Sequence, residues 1–174
     1  MAKRKELDSR YFVSNIDIST CNSCSNCPCK IYNNGNKIVF GIGNINTDTI
    51  FILPNYNLTK DNNILDIISN YYTDITGRNI IEDCYITRCI KCDSNIDYDV
   101  QSLSLHYCIH ILLYEINRIK PSKIIVLDKD MRYINLYVRN CVIHHVINPK
   151  VLYYDNELLK RTFVEQLTKA INDT

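Results

Sequence analysis

Nine cysteines in a chain of 174 residues constrain this sequence more than any other feature. Cys21, Cys24, Cys27 and Cys29 crowd one early loop, Cys92 follows a strand-like run, and Cys108 sits in a long helical stretch. Fifteen residues stand between Cys92 and Cys108, too many for a local zinc knuckle. Joined to the upstream thiols they make sense as one buried cluster, fed from three separate segments, that staples the fold. The charged N-terminus has no apolar run behind it, which reads as an unsecreted chain. Thiols kept reduced inside a cell, and odd in number, favour metal ligation over disulfides.

The remaining composition sets bounds. The length fits one domain with a sizeable core. A net charge of +1 supplies no overall attraction to DNA or to a membrane, and the dense basic run Lys3-Arg4-Lys5 reads as a solvated tail. No apolar stretch reaches spanning length, so the expectation is a soluble protein of the cytoplasm, the host cytoplasm if the source is viral. A viral or phage origin is suggested by abundant Asn, Ile and Tyr, whose codons are AT-rich, beside only four Gly and no Trp.

Residues 1–20 read as an N-terminal extension and 21–174 as a single domain. Lys37 to Phe40 is expected as a short strand, with Gly41 to Asn44 as a turn. Thr49 to Leu53 is a continuous apolar run between Asp48 and Pro54, the pattern of a buried parallel strand. Asn62 is placed to cap a helix that Gly77 stops. Cys84 to Arg88, Lys123 to Leu127 and Val142 to Ile147 read as further strands. A long helix starts at Asp97 or Asp99 and runs to about Ile119, with Leu105, Cys108, Leu112, Ile116 and Ile119 on its inward face. A short helix over 129–138 and an amphipathic helix from Glu157 to Ile171 complete the chain. Strands alternating with helices predict a three-layer α/β/α domain on a four-stranded, mainly parallel sheet. Ligands on such sheets bind beyond the carboxyl ends of the strands, here Pro54 to Asn57, Arg88, Asp128 and Asn148-Pro149-Lys150.

Several motifs in this order resemble the iron–sulfur uracil-DNA glycosylases. Cys24-x-x-Cys27-Pro28 is followed by Val39-Phe40-Gly41-Ile42-Gly43-Asn44, similar to the family's Val-Phe-Gly-Glu-Gly-Asn. Tyr85-Ile-Thr-Arg-Cys-Ile-Lys-Cys92 resembles its Tyr-Ile-Thr-Asn-x-x-Lys-Cys, and Cys108 falls where its last ligand sits on a helix. The likeness spans Cys24 to about Leu167. It implies a uracil-DNA glycosylase-like fold and a [4Fe–4S] cluster on Cys24, Cys27, Cys92 and Cys108, the soft thiolates such a cluster requires. Cys21/Cys24 is also a Cys-x-x-Cys, and Cys29 also fits the spacing to the downstream motif, so the loop pair stays open while Cys92 and Cys108 do not. A zinc site on the same thiols is the alternative. Cys84, Cys89 and Cys141 read as core thiols.

The resemblance breaks where the family does its chemistry. Such enzymes flip uracil out of the helix and stabilise the departing base as an anion. The family's Gly-Glu-Ala-Pro-Gly type motif is replaced by Leu53-Pro54-Asn55-Tyr56-Asn57, without its glycines or carboxylate. Its uracil-reading Asn is Arg88, which has donors only. Its His-Pro-Ser is Asn148-Pro149-Lys150. The expectation is therefore a glycosylase-like protein impaired in catalysis, acting as a nucleic-acid-associated or structural subunit, for instance of a viral replication or transcription complex. Arg88, Asn148 and Lys150 are its nucleic-acid-contacting candidates. Two alternatives are an active DNA glycosylase of altered base specificity, with Asn55 positioning water and Asn148 stabilising the leaving base, and a zinc-stabilised interaction module. His106 and His110, four apart on a helix, lack a partnered carboxylate and read as surface residues. His144 and His145 alternate across a strand, one of them inward. The Tyr pairs 71–72 and 153–154 read as packing residues before base-stacking ones.

Overall fold

The computed structural model describes Cys27 and residues 39–54, 62–91 and 98–173, with backbone alone for 62–63, 98–106 and 129–130. The expected extension over 1–20, the rest of the Cys-rich loop, and Asn55 lie outside the described residues.

At the centre of the sheet stands β2 (Thr49–Leu53), buried along its whole length. It pairs in parallel with β3 (Tyr85–Arg88) on one side and β4 (Lys123–Val126) on the other. Beyond β4, β5 (Val142–His145) pairs in parallel as well. A strand's side chains alternate between the two faces. Phe51 and Leu53 therefore enter one core with Ile86, Ile125 and Leu127, while Ile50 and Ile52 enter a second with Tyr85, Ile124 and Val126. A strand buried on both faces must be apolar at every step, which is why Ile50 to Leu53 shows no polar alternation.

The first core is closed by α1 (Asn62–Thr76) and, after the short α2 (Ile80–Asp83), by α4 (Glu157–Asn172). Ile64, Ile68 and Tyr72 line up at steps of four on α1, and Phe163, Leu167 and Ala170 do the same work on α4. Gly77 ends α1 as expected: at φ +71° its N–H bonds to Thr73 O at 2.7 Å. Asn156 caps α4 through its Oδ1, which accepts from Leu159 N at 3.1 Å. The second core lies under α3 (Tyr98–Ile119), whose Leu112, Ile116 and Ile119 face inward, and under the 3-10 segment Lys129–Leu136 with Met131 and Ile134. Cys108 shares the inward face of α3, whereas the Leu105 side chain lies outside the described residues. A second 3-10 turn, Pro149–Tyr153, leads from β5 toward α4.

The sheet has five strands in the order β1-β3-β2-β4-β5, one more than the sequence predicted. The addition is β1 (Ile42–Gly43), antiparallel to β3, in the stretch read as a turn, while Val39 and Phe40 are not strand. Its glycines explain the difference. A Cβ on Gly41 would fall 2.5 Å from Ile86 O, and one on Gly43, at φ +104°, 2.3 Å from Cys84 O. Absence of side chains lets this segment lie against β3 closely enough to pair. The result is a mixed α/β fold on a mostly parallel sheet. Among the described residues, no helix is long and apolar enough to cross a membrane.

Candidate metal centre and the carboxyl ends of the strands

Leaving β3, the chain passes through Cys89, Ile90 and Lys91, all buried. Ile90 forms a small separate cluster with Cys27 and Cys108, each 3% exposed, and Tyr107 packs against it. The Lys91 backbone N–H points at Cys108 Sγ, 3.5 Å away. Two of the four sulfurs assigned by resemblance thus share one shielded place, although one comes from the early loop and the other from α3. Both are buried. Cys24 and Cys92 lie outside the described residues, and among the described residues no three metal-ligating side chains come together. The donors present fit a thiolate-bound metal or cluster: soft sulfur, an apolar shell, and an amide hydrogen directed at the Cys108 sulfur.

Directly beside this cluster is a buried charge network that sequence reasoning missed. Glu115 on α3 and Lys91 form an ion pair, 0% and 1% exposed. The other Glu115 contacts come from Gly41 N and Tyr85 Oη at Oε1, both 2.8 Å, and from Thr87 Oγ1 at Oε2, 3.0 Å. Lys91 Nζ also bonds to Thr87 Oγ1. One carboxylate therefore ties together the Gly41 segment, β3, the β3 exit and α3. The sequence did carry a signal: Glu115 lies three residues past Leu112 and next to Ile116, a charge on the inward stripe of a helix.

At the carboxyl ends, the register aligns Leu53 with Arg88, Ile52 with Val126 and Val126 with His145. Arg88, Asp128 and Asn148 follow at that edge of the sheet. Arg88 is 3% exposed and Asp128 7%, while Lys150 is open to solvent. The Asn148 amide is engaged at both of its ends. Its Nδ2 donates to Asp128 Oδ2 at 3.1 Å, and its Oδ1 accepts from Lys150 N at 3.0 Å as the cap of the 3-10 turn. Asp128 was read only as a strand end; the structure places its carboxylate at this face, bonded to Asn148.

The other candidates are placed as follows. Cys84 and Cys89 are core thiols, Cys89 against Met131, and Cys141 is half-buried. Burial pushes the Cys84 thiol up to about 11 and the Cys89 thiol up to about 12. Tyr72 meets Phe51 edge-on with centroids 5.9 Å apart, Tyr71 meets Phe163 at 6.0 Å, and Tyr153 and Tyr154 are exposed. His110 is exposed, and the His106 side chain lies outside the described residues. His145 Nε2 lies 3.0 Å from Asn135 Oδ1, whereas His144 turns the other way, toward Asp173.

Comparison with family models of known proteins finds none that matches the chain, and comparison with curated protein sequences finds no match either.

Proposed function

We propose that this chain is a divergent relative of the iron–sulfur uracil-DNA glycosylases, with that family's three-layer α/β/α arrangement, and serves as a nucleic-acid-associated or structural subunit without uracil excision. The observation that carries the reading is the burial of Cys27 and Cys108 together, with the Lys91 amide directed at the Cys108 sulfur. A [4Fe–4S] cluster held by Cys27 and Cys108, with Cys24 and Cys92, would supply a covalent tie between the early loop, the β3 exit and α3. Lys91 directs its N–H at the Cys108 sulfur and, through Glu115, anchors the β3 exit to the helix that carries Cys108.

Two features support the loss of excision. Arg88 occupies the position where the family reads uracil, and it is buried at the strand end. Asn148 stands where the family places its imidazole, yet both ends of its amide are bound, to Asp128 and to the turn it caps. A replication or transcription assembly in a virus-infected cell is the setting proposed for such a subunit.

The test is anaerobic purification of the full chain, with iron, sulfide and zinc analysis and absorption near ~400 nm, where iron–sulfur charge transfer falls. Iron and sulfide in about equal amount, lost in Cys27→Ser and in Cys108→Ser, are the expected result. Zinc alone would favour the zinc-stabilised module, and no metal would overturn the reading. Incubation with a uracil-containing oligonucleotide tests the second half. Formation of abasic sites, abolished by Asn148→Ala, would replace the impaired subunit with an active glycosylase.

A further inference from the structure

β5 closes one side of the sheet, and among the described residues no strand pairs with its outer edge. Val142 N–H bonds to Ser122 O and Val146 N–H to Val126 O, each at 2.9 Å, so Val142, His144 and Val146 turn their backbone groups toward β4. Alternation then turns those of Ile143 and His145 outward. This open edge is bounded at both ends. Ile147, the next outward residue, already gives its N–H to Gln166 Oε1 at 3.0 Å, and Asn140, at φ +63°, bends the chain before the strand begins.

Open edges ordinarily carry a lysine, a proline or a bulge that stops another chain from adding. Cys141 to Ile147 contains no Lys, Arg, Asp, Glu or Pro. Burial is the largest influence on both histidines and holds them below 6.5, His144 among Asp173, Lys169 and Lys123, His145 beside Asp128 and Arg132. Both rings are therefore neutral at pH 7. Apolar side chains flank the edge. Val142 is 55% exposed, and Leu136 and Tyr137, 69% and 51% exposed, directly follow Asn135, which meets His145. On the opposite face of β5, Val142 and His144 border a cavity of about 570 Å³ between the C-terminal ends of α1 and α4.

We infer that the outer edge of β5 pairs antiparallel with the same edge of a second copy, across a two-fold axis at His144. That register uses both outward residues of each copy. Each Ile143 meets the other copy's His145 in a hydrogen-bonded pair, while the two His144 residues stand opposite each other as a non-bonded pair. An axis at Ile143 would set His145 against Cys141, outside the strand. An axis at His145 would set Ile143 against Ile147, whose N–H is already taken. A second copy brings an edge of matching length with no charge to repel it, as an isologous contact requires. Two such pairs exchange few hydrogen bonds, so the covering of Leu136, Tyr137 and Val142 supplies the apolar part and the affinity is moderate. The pairing does not depend on a metal.

The experiment is sedimentation velocity of the full chain at pH 7 over about 1–200 µM, with a dimer Kd of about 10 µM expected. His144→Lys sets two ammonium groups face to face at the axis and should weaken the dimer at least about tenfold, with thermal melts verifying that the variant is folded. Cross-linking with diamide in a Cys141→Ser background tests the register. Two His144→Cys positions would have Cα atoms about 4.5 Å apart, within disulfide reach, whereas two Val142→Cys positions would be roughly 13 Å apart. Peptide mapping should find the 144–144 link, and the Val142→Cys chain should stay single. A parent chain monomeric throughout, undiminished association of folded His144→Lys, or linking of Val142→Cys as readily as His144→Cys would each overturn the inference.

Discussion

Lys91 and Glu115 form an ion pair that solvent does not reach, the lysine at the exit of β3 and the glutamate near the C-terminal end of α3. Desolvating two charges costs several kcal/mol each, and the pair is sustained only because its remaining bonding capacity is filled. Glu115 meets that condition with three further donors, from Gly41, Tyr85 and Thr87. Its position decides its consequence: Lys91 adjoins the cysteine cluster, so the network sets where β3 hands the chain to the candidate metal centre.

The two partners are not equivalent. Lys91→Met removes one of four donors and leaves Glu115 three, whereas Glu115→Leu removes the carboxylate on which all four converge and leaves the buried Lys91 ammonium without its counter-charge. Urea denaturation should show Lys91→Met costing about 3 kcal/mol and Glu115→Leu at least about 5 kcal/mol. The reverse order would mean that the carboxylate does not organise the network.

Glycine substitutions should separate close approach from backbone conformation. Gly43→Ala meets Cys84 O at 2.3 Å as well as a φ of +104°, and should cost about 3 kcal/mol or more. Gly77→Ala, at φ +71° with nothing within 4 Å, should cost about 1 kcal/mol. Equal losses in thermal or urea melts would contradict the packing of β1 on β3.

Thiol labelling should follow burial. With Cys84 pushed up to about 11 and Cys89 to about 12, chiefly by burial, both stay protonated at pH 8. Iodoacetamide followed by peptide mapping should leave both unmodified in the folded chain and modify both in urea. Rapid labelling of either in the native state would place it outside the core.

Acid should weaken the fold through His144 and His145. Burial is the largest influence on each and lowers both below the ordinary 6.5. The unfolded chain then binds more protons in that window, so their stabilising effect is full above about pH 6.5 and is lost as pH falls through it toward the folded values. Denaturation midpoints from pH 8 to pH 5 should fall, and fall less in a His144→Gln, His145→Gln double variant. An unchanged slope in that variant would assign the acid sensitivity to other groups.

Much of the scaffold was legible in the residues. Thr49 to Leu53 announces itself by unbroken apolarity between Asp48 and Pro54, and the strand has those bounds. Gly77 marks the end of α1, and the three-and-four spacing from Cys108 to Ile119 foretold which way Cys108 faces. These are local signals, set by backbone period and by which side chains can cap or stop a helix. β1 was not legible, because the worth of Gly41 and Gly43 lies in the carbonyls of Ile86 and Cys84, some forty residues on. Glu115 was not recognised for the same reason: its four donors come from Gly41, Tyr85, Thr87 and Lys91, which only the folded chain gathers. The engagement of Asn148 by Asp128 and the cavity between two helix ends likewise join distant segments. The sequence by itself determined the central strands, the long helices and the mostly parallel class of sheet, since hydrophobic period and helix stop signals act within a few residues. Tertiary structure alone decided which buried charges meet, which thiols share a pocket and where space is left, because those depend on packing between segments that share no local pattern.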